Sequence, residues 1–286
     1  MSTKYDPHKL AQRVVNVASL PSIYLKIENA VNNEKTSSQD IANIVSEDTA
    51  LAGKVLRLSN SAMFNFPSKI STITQAVTII GTRQLKDLVL ACSVIDVFKD
   101  MPSDMVSMEK FWRHSIACAV SARVLSQLRR DSNAESAFVA GLLHDIGRLV
   151  LFKELGALTR TCIERADRLH VHLDNMEREV FGFDHAMLGG LLLKEWKLPP
   201  QLVEATQYHH MPSRSMTYPV ETSYVHIANL IVSMLQLGNS GDKRIPRLDH
   251  GAWASLGFNV DIVDGVVDEV HSQYNSAVEF VLGAAA

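Results

Sequence analysis

The stretch GLLHDIGRLV, residues 141–150, ends an apolar run with a histidine beside an aspartate, His144 and Asp145. Neighbouring residues on a helix point about 100° apart, so both side chains can reach one ion that lies in the angle between them. Imidazole nitrogen and carboxylate oxygen suit iron, manganese or zinc, and a carboxylate also suits magnesium. The pair is compatible with a divalent metal site or with a polar junction in a helical scaffold.

The chain around this pair is helical in pattern nearly throughout. Ser37 or Ser38 can cap the N-terminus of a helix in TSSQDIANIVSED. The apolar positions Ile41, Ile44 and Val45 of that stretch fall on one face, at spacings of three and four. No alternating two-residue pattern of useful length occurs, so we expect essentially no sheet. The predicted fold class is all-α, a helical bundle with additional N-terminal helices.

The stretch STITQAVTIIG predicts a second capped helix of about two turns. Thr72 and Gln75, three residues apart, form a capping box. Ala76, Ile79 and Ile80 make its apolar stripe, and the final glycine can close the helix in a left-handed conformation.

Periodic apolar patterns predict seven further helices, several with terminal signals. They cover about 84–99, 108–129, 134–146, 175–180, 185–196, 200–210 and 219–237. Asp184 can cap the helix that begins at the next residue, and Pro200 stands where a first-turn proline is tolerated. Gly238 follows the last apolar turn of YVHIANLIVSMLQLG.

Two polar stretches suggest internal boundaries. Proline, serine and aspartate interrupt two apolar helical stretches at 99–109, and a loop rich in glycine and proline follows at 238–251. We therefore predict an N-terminal helical part at 1–105, a helical bundle at 106–237 that contains the His-Asp pair, and a C-terminal helical tail at 238–286.

The composition is that of an ordinary globular protein and excludes several function classes. Of the 286 residues, 47% are hydrophobic and 21% are charged, and the net charge is -3. The sequence has no run of lysine and arginine long enough to make a basic stripe, so we do not expect the protein to bind nucleic acid directly. The N-terminal stretch has no apolar signal core, and LKDLVLACSVIDVF is too short to span a membrane, so we expect a cytoplasmic protein without membrane contact.

The cysteines predict reduced thiols. Cys92, Cys118 and Cys162 are odd in number, far apart and placed in helical segments. Such thiols are usually buried filler and not a disulfide framework.

More histidines occur in helical settings like that of the central pair. They are His114, His185, His209 and His210. His226 and Asn229 lie three apart on YVHIANLIV and share one face. Each histidine alone is most simply a hydrogen-bonded core or surface residue, but their order along successive helices indicates a shared site.

From the central pair outward the chain resembles the HD superfamily of metal-dependent phosphohydrolases, in which a first histidine, a His-Asp pair and a distal aspartate bind a metal. The segments ASLPSIYLKIENAV, SSQDIANIVSEDTALAGKVLRLSNSAMF and ISTITQAVTIIGTRQLKDLVLACSV closely resemble the HDOD domain, the HD-related output domain of bacterial signalling proteins. The resemblance covers roughly 14–212. It implies an all-helical fold and a mainly regulatory role, because many such members have lost metal ligands.

The resemblance assigns metal ligands along this sequence. His114 matches the first ligand, and His144 with Asp145 matches the central pair. Asn229, in HIAN, stands where the family has its distal aspartate. An amide oxygen is a neutral and weaker ligand, so this substitution weakens the expectation of catalysis.

Further positions match the binuclear relatives, which include cyclic-di-GMP phosphodiesterases with a Gly-Tyr-Pro signature. His185 and the pair His209 and His210 fall where those relatives place additional histidines, with the choice within the pair left open. Arg148 stands where they often carry a lysine that contacts phosphate, and it keeps the cation. The Gly-Tyr-Pro segment itself is absent.

Three functions follow as alternatives. The first is a signalling output module with little or no catalysis, a partly retained site for a divalent Fe, Mn, Mg or Zn ion, and a signalling protein or small nucleotide as its partner. The second is a metal-dependent phosphohydrolase of nucleotides or cyclic nucleotides, with Asp145 and Arg148 as catalytic residues. The third is an adaptor that binds protein through Met63, Phe64 and Phe66, although these also fit an ordinary core. The C-terminal helices are assigned packing or homodimer contact.

Overall fold

The computed structural model describes residues 5–17, 19–62, 64, 66, 68–98, 105–131 and 133–282. In these ranges the chain forms sixteen α-helices and one 3₁₀ turn and contains no strand, so the all-α prediction is confirmed. The helices are α1 (Pro7–Val17), α2 (Ser22–Val31), α3 (Ser38–Ser46), α4 (Thr49–Ser59), α5 (Ile73–Ile80), α6 (Thr82–Phe98), α7 (Met108–Leu128), α8 (Ala134–Leu143), α9 (Ile146–Glu154), α10 (Gly156–Leu169), α11 (Leu173–Phe181), α12 (His185–Glu195), α13 (Pro200–Tyr208), α14 (Pro219–Leu235), α15 (His250–Leu256) and α16 (Ile262–Leu282). Across these ranges, no helix has both the length and the apolar character that crossing a membrane requires.

The chain forms two compact units, each built from two stretches of sequence. The larger comprises Met1–Ser19 and Met101–Val267, and the smaller comprises Leu20–Asp100 and Asp268–Ala286. The divisions predicted after residues 105 and 237 stay predictions. Residues 99–104 of the predicted boundary lie outside the described residues.

The helix caps of the smaller unit follow the sequence signals with two corrections. At α3, Ser37 and Asp40 form a complete capping box. At α5, the Thr72 side chain accepts from the Gln75 amide, but the Gln75 side chain accepts from Ser71 and not from Thr72, so that predicted box is half formed. Ile79 is 48% exposed. Its predicted place on the stripe is wrong, because residues 73, 76, 77 and 80 already define the buried face.

The larger unit is centred on α7, which is buried nearly all round. Helices α8 and α14 both pack on α7, while α12 packs on α13, α9 and α1. A helix that is buried on every side forms the middle of a bundle. The side chains of α7 therefore point into the interior of the unit, against α8 and α14.

Two glycines allow the close helix contacts of this unit. A Cβ on Gly141 would lie 2.6 Å from the Cys118 carbonyl oxygen, so α8 touches the α7 backbone. A Cβ on Gly147 would lie 2.0 Å from the His185 carbonyl oxygen, so α9 touches α12. Contacts this short leave no room for any side chain. They bring the 144–145 junction next to α7 and α12.

The predicted helix at 134–146 is in fact two helices. Helix α8 ends at Leu143, and α9 begins at Ile146. His144 and Asp145 form the turn between them. The expectation that the pair lies within one helix is therefore wrong, and its two side chains are directed by a turn.

Candidate metal centre

His144 presents one ring nitrogen to the interior of the bundle. Its Nδ1 donates to the Gly141 carbonyl oxygen at 2.8 Å. This bond leaves Nε2 free to accept, 3.3 Å from Asp145 Oδ2 but not aligned for a hydrogen bond. His144 is completely buried, and the lone pair on Nε2 has no hydrogen-bond donor.

Asp145 stands at the centre of the cluster. It occupies the N-cap position of α9, yet its side chain makes no capping hydrogen bond. Its Oδ1 lies 3.0 Å from His185 Nε2 and 3.7 Å from His209 Nε2. Its Oδ2 lies 3.9 Å from His114 Nε2. The carboxylate therefore faces imidazoles through both oxygens.

His185 is fixed from its outer side by a carboxylate. It is the first residue of α12, after Asp184, which caps the helix as predicted by accepting from the Met187 amide. Glu177, from α11, accepts from His185 Nδ1 at 2.6 Å and from its backbone N at 2.8 Å. Carboxylates that orient a histidine in this way are typical outer partners of metal ligands. Glu177 is fully buried, and no sequence pattern pointed to it.

Both histidines at the end of α13 reach the cluster. His209 Nδ1 donates to the Thr206 carbonyl oxygen at 2.8 Å, and its buried Nε2 has no hydrogen-bond partner. His210 Nε2 lies 3.0 Å from His185 Nε2. The ligand atoms of Asp145, His185, His209 and His210 all lie within 4.8 Å of one another. The structure brings both members of the pair together with Asp145.

On the other side of Asp145, α7 and α14 supply the remaining candidates. His114 lies in α7, with Nε2 3.7 Å from the sulfur of Cys118 one turn later. Asn229 of α14 is buried and lines the same cavity as His114, and its Oδ1 accepts from Ser233 at 3.3 Å. His226, its neighbour in the HIAN motif, uses both ring nitrogens within the fold, with the His209 carbonyl and the Asp249 amide.

The electrostatics of the cluster keep most imidazoles neutral. Burial and the nearby His144 lower the pKa of His114 to about 3, with Asp145 opposing them. Burial also lowers the pKa values of His209 and His210 well below the ordinary range. Neutral imidazole is the form that binds a metal.

Asp145 and His185 form the charged part of the cluster. Burial raises the pKa of Asp145, but Arg148, His144 and His185 lower it more, so that it lies well below its ordinary value. Burial and Arg148 lower the pKa of His185, but Glu177 and Asp145 raise it to about 10. A metal bound at His185 Nε2 must therefore displace a proton.

Arg148 lies beside Asp145. Its Nε is 3.1 Å from Asp145 Oδ1, and the side chain is buried. Its Nη1 has no hydrogen-bond partner and faces a cavity of about 70 Å³ that Asp145, Asn229 and Asp242 also line. Ser240, from the same loop as Asp242, also lines this cavity.

The buried donors fit a divalent metal ion. His144 Nε2, His209 Nε2 and Asp145 Oδ1 are all buried without a hydrogen-bond partner. Buried polar atoms left unpaired are costly, and a shared cation would satisfy all three. A set rich in imidazole suits iron, manganese or zinc better than magnesium.

Comparison with known proteins agrees with this architecture. The family model of the HDOD domain matches residues 17–212. An uncharacterised protein of Treponema pallidum (strain Nichols) is 28% identical over 244 residues, which is 83% of this chain and 46% of that protein. The chain thus spans about half the length of this relative.

Two solved structures are similar over nearly their whole length. An HDOD domain protein with unknown function from Geobacter sulfurreducens has a TM-score of 0.77 at 24% identity, with 96% of this chain and 97% of that chain covered. A protein of Shewanella amazonensis SB2B, provisionally described as a phosphohydrolase, has a TM-score of 0.73 at 26% identity, with 96% and 98% covered.

Proposed function

The chain belongs to the HDOD domain family, and from this premise we propose that it is a signalling output module that holds a divalent metal ion and carries out little or no hydrolysis. One observation carries the proposal. Asp145 is surrounded by buried imidazoles, of which His144 and His209 have an unpaired Nε2, and we take the buried Asn229 to stand in place of a closing carboxylate. The donors suffice to bind a cation, but they carry one negative charge fewer than a set with a second carboxylate would.

The origin of the donors supports a structural or sensory role for the metal. They come from α7, from the turn between α8 and α9, and from α12 and α13. These segments are separate in sequence, so an ion that binds all of them stabilises the folded bundle over the unfolded chain. Occupancy would then report metal supply or redox state to a partner through the packing of the helices.

The cavity beside Asp145 and Arg148 is small. About 70 Å³ is room for about five waters, at roughly 10–15 Å³ for each. A nucleotide has several times as many atoms as this space alone admits, so it would also occupy the adjoining cavity of about 580 Å³ that shares His114 and Asp242 with it. A signalling protein or a small nucleotide remains the proposed partner, with α16 as a proposed homodimer contact.

A second candidate is a metal-dependent phosphohydrolase, and Arg148 favours it. Its guanidinium is buried beside Asp145 with Nη1 unpaired and facing the cavity. In that position it can bind a phosphoryl oxygen of a nucleotide. A bound metal would supply activation of water and polarisation of the phosphoryl group. Asp145 would orient the ion, and Arg148 would orient the phosphate.

Metal analysis combined with a phosphodiester assay tests both candidates. Protein purified without added metal should contain at least about one metal ion per chain, and Asp145→Ala should remove the bound metal. The regulatory proposal expects no turnover of a generic phosphodiester with Mn, Mg or Fe(II), whereas turnover that Arg148→Gln removes would establish the enzyme. Absence of metal under every condition would refute both.

Asn229→Asp probes the lost carboxylate directly. We expect tighter metal binding because the new oxygen is charged. Equal affinity in the two proteins would show that this position is not the closing ligand.

The adaptor function stays a proposal with its own test. Phe64 and Phe66 stack at 5.5 Å between ring centroids, and Met63 lies outside the described residues. Replacing both phenylalanines with serine should abolish binding to a partner while the circular dichroism spectrum is unchanged. Retained binding would argue against this surface.

A further inference from the structure

Cys118 lies inside the metal centre, although its sequence context predicts only buried filler. It follows His114 by one turn of α7 and is completely buried. The ligand atoms of His114, Cys118 and His144 all lie within 4.8 Å of one another. The sulfur is 3.7 Å from His114 Nε2.

An independent observation indicates that this group binds something. His144 Nε2 points into the same space, is buried and has no hydrogen-bond partner. In the neutral ring Nδ1 carries the proton that the Gly141 carbonyl accepts, so Nε2 of that form is an acceptor. A lone pair aimed at a thiol and a second imidazole is what a cation would satisfy.

Two of the separations among these donors agree with tetrahedral coordination. Bonds of about 2.3 Å to sulfur and about 2.0–2.2 Å to nitrogen and oxygen separate tetrahedral ligands by about 3.6 Å for a sulfur and a nitrogen, and by about 3.4 Å for a nitrogen and an oxygen. Cys118 Sγ and His114 Nε2 are 3.7 Å apart, and His144 Nε2 and Asp145 Oδ2 are 3.3 Å apart. His114 Nε2 is 3.9 Å from Asp145 Oδ2, about half an ångström longer than this geometry requires.

The charge of the set is also right. With neutral Asn229 in place of a carboxylate, Asp145 is the sole anion among the ligands that the family resemblance assigned. A thiolate at Cys118 would supply the second negative charge, so that a divalent ion is balanced. Thiolate donors select zinc and iron(II) over magnesium.

We propose that Cys118 is a direct metal ligand that compensates for Asn229, in a set completed by His114, His144 and Asp145. This rests on the proposed metal site. On binding, the S–H bond breaks, a sulfur–metal bond forms and the proton passes to solvent. The centre is therefore a zinc or iron(II) type of site, with magnesium as a poor occupant.

The competing role for Cys118 is that of a weak hydrogen-bond donor to His114. Cys118→Ser separates the two roles because the hydroxyl keeps a donor while it removes the soft thiolate. Cys92→Ser and Cys162→Ser are matched controls, since both thiols are buried and neither belongs to the groups of candidate ligands.

Cobalt(II) loading of the whole protein gives a readout independent of activity. A thiolate ligand produces a sulfur-to-cobalt charge-transfer band in the near ultraviolet, which oxygen and nitrogen ligands do not give. We expect this band in the wild type and in both control variants, and its loss in Cys118→Ser. Zinc affinity can be measured by competition with a chelating dye. It should fall by at least about tenfold in Cys118→Ser and stay unchanged in both control variants, because even the loss of a residue that only hydrogen-bonds to a metal ligand lowers affinity by about tenfold or more.

The outcomes separate this inference from the proposed function. Wild-type protein that binds cobalt without the band overturns the role of Cys118 and leaves the metal site standing, whatever the variants do. A band that survives in Cys118→Ser likewise overturns the role of Cys118 and leaves the metal site standing. Wild-type protein that binds neither cobalt nor zinc overturns the metal site itself, and this inference with it.

Discussion

Gly147→Ala should disrupt both the fold of the larger unit and its metal centre. The added Cβ would lie 2.0 Å from the His185 carbonyl oxygen and 2.6 Å from the Gly189 nitrogen. Both are backbone atoms of α12, so no side-chain rotation relieves the contact. Ordinary contact begins near 3.4 Å, and α9 must therefore move away from α12 by about 1.4 Å.

Two opposing terms set the size of the effect. Alanine is favoured over glycine in a helix by about 1 kcal/mol. Overpacking of a core costs about 1–3 kcal/mol, and more where backbone must separate from backbone. We expect a net loss of at least about 2 kcal/mol in the free energy of unfolding, which lowers Tm by about 5 °C or more. The shift also lengthens the 3.0 Å separation of Asp145 and His185.

Thermal unfolding followed by circular dichroism, with zinc affinity measured in parallel, checks this prediction. The matched control is Gly265→Ala in α16, where a Cβ would meet nothing within 4 Å. That variant should keep its zinc affinity and gain up to about 1 kcal/mol in stability. If Gly147→Ala melts with the wild type and binds zinc equally well, the close approach of α9 to α12 does not build the site.

Three further predictions concern the ligands and the pH dependence. Glu177→Gln should weaken zinc binding by about 10–100-fold because it removes the charge that orients His185. Glu179→Gln, which breaks an exposed salt bridge of the same helix, should leave zinc binding unchanged. An equal loss of affinity in the two variants would show that Glu177 does not orient a ligand. Zinc affinity should rise with pH up to about 10, the pKa of His185, by up to about tenfold per unit, and a flat profile from pH 6 to 9 would contradict it. Glu204 has a lowered pKa; burial opposes this, but hydrogen bonds from Ser215, Thr217 and Tyr218 outweigh it. The ionised Glu204 stabilises the fold above its ordinary pKa, and this stabilisation is lost as the pH falls through the lowered pKa of the folded protein. Glu204→Gln should therefore have a lower Tm than the wild type at pH 7, and the difference in Tm should shrink in acid.

Much of the cluster was predictable because its chemistry is written in residue types and in their order. His114, the His144 and Asp145 pair, and the later histidines lie in successive helices or at their ends, and the folded bundle brings their ring nitrogens together. The caps at Ser37 and Asp184 were predictable for a similar reason, since capping depends on residues only three apart.

The remaining features depend on contacts between segments distant in sequence. Glu177 looks like a solvent-facing acid of α11, and only the docking of α12 turns it toward His185. Cys118 looks like a small apolar residue, and it becomes a candidate ligand because Gly141 lets α8 touch α7. Nothing local to either residue encodes its neighbour, so periodicity and propensity could not identify them.

The turn at 144–145 shows how the site departs from local preference. Asp48, Asp184 and Asp249 each occupy an N-cap and accept a backbone N–H of the helix that they begin. Asp145 occupies the same position for α9 without capping it, and its carboxylate turns to the imidazoles. An unused cap forgoes about 0.5–2 kcal/mol, and the desolvation of Asp145 adds to that cost. Local rules broken at a buried charge are expected at a functional site, since another interaction must offset the loss. Arg148 offsets part of it, and a cation bound by Asp145 together with His144 would offset the rest.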